Sequence, residues 1–148
     1  MTTPDELYKR PGWMGLLARS TPARLASLFA DLPPHDMLRP PEIGSVMVRG
    51  RMGATGQPFN LGEMTVTRCV VRLITGEVGH AHVQGRDKRH ATRAAVVDAL
   101  LASPAADTVR QMVLAPLHAD ETTRRSVRAS RAATTRVEFF TLVRGEDQ

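Results

Sequence analysis

Cysteine is almost absent: Cys69 is the only one in 148 residues. That excludes an intrachain disulfide and any zinc site built on several thiolates. Nothing marks an oxidising compartment. Aromatic residues make up only 4%, so a core must be aliphatic, filled by Ala, Val, Leu and Met. Lysine is also scarce, with Lys9 and Lys88 alone, so the net charge of +5 is carried by arginine. Arginine's planar fork suits phosphates, carboxylates and interfaces. No stretch approaches the ~18 apolar residues of a membrane helix, and Met1–Arg10 has no apolar leader core. The chain therefore reads as cytoplasmic, with no membrane partner.

The length favours one domain over 1–148, with residues 1–10 flexible. Helical spacing runs from Leu7 to Arg19. Ser20-Thr21-Pro22 restarts a helix, whose stripe is Leu25, Leu28, Phe29 and Leu32. Pro33 and Pro34 end it, and Leu32 to Pro41, with four prolines, reads as a connector.

The period then becomes two. Val46, Val48 and Met52 face one way, and Met47, Arg49 and Arg51 the other. Gly53-Ala54-Thr55-Gly56 is a loop. From Thr65 to Ile74, Cys69, Val71 and Leu73 share one face, and Arg68 and Arg72 the opposite one. Thr75-Gly76-Glu77 turns the chain into a strand over Val78 to Gln84. Asp87 caps a helix with the stripe Ala94, Val97, Leu100 and Leu101. A short helix covers Asp107 to Leu114, and another opens at Asp120 and Glu121, with arginines following the acids. Val137 to Arg144 is a final strand. This is an α+β pattern: N-terminal helices, an antiparallel sheet of about four strands, further helices and a C-terminal strand.

Four features bear on function. If their strands pair, Arg49, Arg51, Arg68 and Arg72 crowd one face and repel. A phosphate-bearing ligand or a partner's acids would relieve that; otherwise they fan into water. Secondly, Arg86, Lys88, Arg89 and a protonated His90 load a helix start that prefers anions. Thirdly, His80 and His82 share a strand face but lack a third ligand at a diagnostic spacing, and read as a surface pair. Finally, Phe139, Phe140 and Leu142 belong to a strand apolar on both faces, which wants cover from another subunit. The preceding helix offers only Val127 and a few alanines to its own core. No nucleophile elbow, HExxH motif or paired-acid arrangement is present, so no catalytic residue is assigned. Cys69 reads as core. A basic nucleic-acid-binding module is the alternative class; few aromatics and no helix-turn-helix pattern count against it.

Several segments occur in an ordered set: Arg51-Met52-Gly53-Ala54-Thr55-Gly56, Asn60 to Arg68, Gly85-Arg86-Asp87-Lys88, Asp98-Ala99-Leu100, and Arg136 to Gly145. Together they resemble the G subunit family (PhnG) of the carbon–phosphorus lyase core complex, over roughly Pro11 to Asp147. The resemblance implies partners, the H, I and J subunits in duplicate. It implies that G, H and I support transfer of ribose triphosphate from ATP to an alkylphosphonate, with release of adenine. It implies a required but non-catalytic subunit that binds no cofactor alone, in a complex using MgATP. Arg51, Arg68, Arg72, Arg86, Lys88 and Arg89 are the expected anion or subunit contacts, and Phe139, Phe140 and Leu142 the expected interface. Neither a metal nor a nucleic acid is expected.

Overall fold

Trp13, Leu16 and Leu17 recur at helical spacing and are buried along one side of α1 (Arg10–Arg19). Pro22 at the first helical position starts α2 (Pro22–Leu28), which buries Leu25. The computed structural model describes residues 9–135. The expected final strand and most of the expected flexible leader lie outside them. Arg10, expected in that leader, sits in α1 and reaches the core.

β1 (His35–Arg51), β2 (Pro58–Leu73) and β3 (Val78–Gln84) form an antiparallel sheet in the order β1-β2-β3. From His35 on, the expected connector through Pro41 is instead the first part of β1. Proline lacks the N–H that a central strand must donate, so it is tolerated only at edges and bulges. β1 is an edge strand, and its register with β2 shifts between Met37 and Arg39 and again between Arg39 and Glu42. The prolines Pro40 and Pro41 fall inside that irregularity. They also blunt the edge against pairing with other chains.

On β2 and β3 the alternation holds: Cys69, Val71, Leu73, Ala81 and Val83 are buried, while Arg72, His80 and His82 are exposed. One sheet face is therefore covered by helices and, among the described residues, the other is open apart from the buried Val66, as antiparallel sheets allow. α3 (Lys88–Leu101) lies on the covered face. Asp87 caps it by accepting from the His90 amide at 2.9 Å. Its buried residues include Ala91, Ala94, Ala95 and Ala99, so the helix backbone comes very close to the sheet. At Gly79 a Cβ would lie 1.9 Å from the Ala95 carbonyl oxygen and 2.6 Å from the Ala99 nitrogen; only glycine fits there.

The last two expected helices are one run. α4 (Ala106–Val109) passes through a π turn (Arg110–Leu114) into α5 (Ala115–Thr134). Pro116 cannot donate its backbone bond and its ring would crowd the preceding turn. The widened π turn just before it lets the helix continue.

Asp98 joins the layers. Its side chain is fully buried and accepts from Trp13 Nε1 at 2.8 Å, Arg10 Nη2 at 2.6 Å and the His80 amide at 2.8 Å. α1, α3 and β3 thus meet at one carboxylate. Arg10 is held protonated more firmly than usual by its hydrogen bond to Asp98. Glu121 does a similar task at the other end of α1, accepting from Arg19 at 2.7 Å.

Candidate interaction surfaces

Strand pairing places the six cations singled out from sequence in three separate regions. β3 pairs with β2 only from Val66 to Arg72, whereas β1 and β2 stay paired out to Arg51 opposite Pro58. The result is a two-stranded ribbon reaching about 25 Å past β3, at ~3.4 Å per residue. Arg51 is near its tip, with Nη1 donating to the Gly56 carbonyl at 3.2 Å. The sequence expectation that Arg49, Arg51, Arg68 and Arg72 crowd together is corrected. Arg49 is opposite Asn60, which lies eight residues from Arg68 on β2, so the two pairs are roughly 27 Å apart along the strand.

The ribbon is also apolar in patches. Met47, Met52, Phe59 and Leu61 are exposed, Met52 by 73% and Leu61 by 65%. A bulge at Leu61, between the pairs Val48–Gly62 and Arg49–Asn60, brings its Cβ and the Phe59 ring over Gly50. Isolated two-stranded ribbons are marginal in water, and clustered exposed apolar side chains mark contact sites.

The second region is the open sheet face. Arg68 lies between Glu42 on β1 and His82 on β3, and Arg72 between Asp36 and Val78. Asp36 pairs with Arg72 at 3.5 Å, and Glu42 binds Arg39 at 2.7 Å. Arg68 folds across Gly44, where a Cβ would meet its Nη2 at 3.2 Å. Its Nε is buried, with no acceptor among the described residues. His80 and His82 point outward here, and among the described residues no three His, Cys, Asp or Glu gather as a metal site.

The third region is the start of α3. Lys88 and Arg89 line a groove of about 330 Å³ with Leu32, Pro41, Thr92 and Arg93. Arg93 and Thr92 were not singled out from sequence; the i, i+4 spacing from Lys88 and Arg89 is the signal that could have found them. Arg93 Nε donates to the Phe29 carbonyl at 2.7 Å, closing the end of α2. Arg86 sits just before the helix and does not line the groove. His90 is the correction here. It is only 1% exposed, and burial pushes its pKa below the usual histidine value, against opposing pulls from Asp87 and the Leu17 carbonyl. It is a neutral core residue, not a fourth cation.

Cys69 is buried, and burial raises its thiol pKa. It is core, as its alternation indicated. Phe139, Phe140 and Leu142 lie outside the described residues. No described helix is long and apolar enough to cross a membrane.

These features define a small α+β protein whose sheet has one covered and one open face, with a basic, partly apolar ribbon standing outside its own core. A family model described as "Phosphonate metabolism protein PhnG" matches residues 8–145, and the chain belongs to that family. A relative from Rhizobium meliloti (strain 1021) is named "Alpha-D-ribose 1-methylphosphonate 5-triphosphate synthase subunit PhnG". It is 48% identical over 141 residues, covering 90% of this chain and 88% of the relative.

Proposed function

We propose that this protein is an assembly subunit of an alpha-D-ribose 1-methylphosphonate 5-triphosphate synthase, working in the cytoplasm with H, I and J subunits in duplicate. The observation that carries this reading is the 48% identity, along nearly the whole of both chains, to a relative named as such a subunit. In the complex, MgATP and an alkylphosphonate react with loss of adenine, and this subunit supplies shape rather than a reacting group. It binds no cofactor by itself. The ribbon, the open sheet face and the α3 groove support that role. Each presents arginine or exposed apolar side chains that a second polypeptide would cover. On this reading Arg51, Arg68, Arg72, Arg86, Lys88 and Arg89 meet partner acids or a bound anion, and Phe139, Phe140 and Leu142 add apolar contact.

The test is reconstitution. The tagged chain is co-expressed with the other subunits, and adenine release from MgATP and methylphosphonate is measured with and without it. It should co-purify with them, and product should require it. Equal product in its absence overturns the proposal.

A further inference from the structure

α5 leaves the body of the protein. Glu121 is its last buried residue, and every residue from 122 to 135 is exposed. At ~1.5 Å per residue this free half projects about 20 Å. Its composition is one-sided. It carries Arg124, Arg125, Arg128 and Arg131 and no acid. Arg125 turns back to Glu121 at 3.4 Å. The other three stand at i, i+4 and i+7, within an arc of about 60° at ~100° per residue. Among the described residues none of the three has an acid within ion-pair distance.

Such a segment is a poor helix in isolation. Like charges at i, i+4 oppose it. Thr122, Thr123, Ser126, Ser130 and Thr134 are weak helix formers. A helix of this length needs tertiary packing, and the described residues supply it none beyond Glu121. The stripe repels itself along one edge, so a matching row of carboxylates would both neutralise and order it. Arginine forks bind carboxylates two bonds at a time. Val127, 46% exposed, flanks the stripe and would fill a small apolar depression beside those acids.

We infer that residues 122–135 are a docking helix, and that Arg124, Arg128 and Arg131 seat it on an acidic groove of a neighbouring subunit. This rests on the proposed role as a subunit and names the surface that role would use. A protein occupant fits better than a nucleic acid, because the free half carries no aromatic side chain for base stacking and pairs its charges with the apolar Val127.

The experiment compares the wild type with R124E/R128E/R131E in the co-expressed complex. The triple variant should stay folded, its unfolding midpoint lowered only slightly through the loss of Arg124's attraction to Glu121, yet bind its partners on the order of a hundredfold more weakly. The variant R124K/R128K/R131K keeps the charge without the fork, and should bind with intermediate strength. If the wild type assembles and the glutamate variant assembles equally well, the inference falls while the proposed function stands. A wild type that does not assemble overturns both. Unchanged assembly with salt-sensitive DNA binding lost in the variant would overturn the protein occupant in favour of nucleic acid.

Discussion

Gly79 and Asp98 set the distance and the orientation of α3 on the sheet, and neither role is legible in the sequence near them. Gly79 sits in a strand where alternation predicts an inward side chain; its reason is a helix backbone some twenty residues later. A Cβ there must displace the Ala95 carbonyl, so Gly79→Ala should cost at least about 1–3 kcal/mol, the range for overpacking. A lowered urea midpoint with an unchanged slope would register it. Asp98→Ala leaves Trp13 Nε1 and the His80 amide without their acceptor and frees Arg10. A broken buried pair costs about 3–5 kcal/mol. Arg10 is half exposed, so the lower end of that range is expected, with altered Trp13 fluorescence as an independent readout. By contrast, Cys69 in the core and Arg72 outside followed directly from period two. His90 did not, because position along a helix start tells nothing of which side faces α1.

At the scale of elements, the second half of β2, β3 and the helix over 88–101 were readable because each has one buried face and a clean period. The sequence failed where a local rule was overridden. Four prolines read as a connector, but an edge strand with two register shifts accommodates Pro40 and Pro41. The helix over 107–114 and the one opening at Asp120 read as separate, but they are one run, because the π turn before Pro116 absorbs the misfit. The ribbon could not be foreseen either, since only the shortness of β3 reveals that β1 and β2 run on without a neighbour among the described residues. Phe59→Ser with Leu61→Ser removes apolar area that is partly in water and otherwise packed only within the ribbon, over Gly50. The isolated chain should keep its stability within about 0.5 kcal/mol, as for other surface changes, while co-purification with partner subunits drops. A large loss of stability in the isolated variant would show that the ribbon packs on its own body.

For the whole molecule, ionic contacts tie the N-terminal helices to the later ones: Arg10 to Asp98, Arg19 to Glu121, Arg24 to Asp120. The last is exposed and contributes little. The first two close on buried acids, and they join parts of the chain 88 and 102 residues apart. Folding is therefore coupled to protonation in two windows. His90 has a pKa below its ordinary 6.5, so the unfolded chain takes up a proton there that the folded core refuses. Stability is full above pH 6.5 and declines as pH falls below it. Glu121 has a pKa below its ordinary 4.5, chiefly through its hydrogen bond from Arg19. Its contribution is present above pH 4.5 and is lost as pH falls through the depressed value. Urea unfolding from pH 8 to pH 3 should accordingly show two declines. His90→Leu should flatten the upper one and leave the lower; Glu121→Gln should do the reverse, lowering stability at neutral pH while removing the acid-side slope. An upper decline that persists in His90→Leu would assign that proton to a group other than His90.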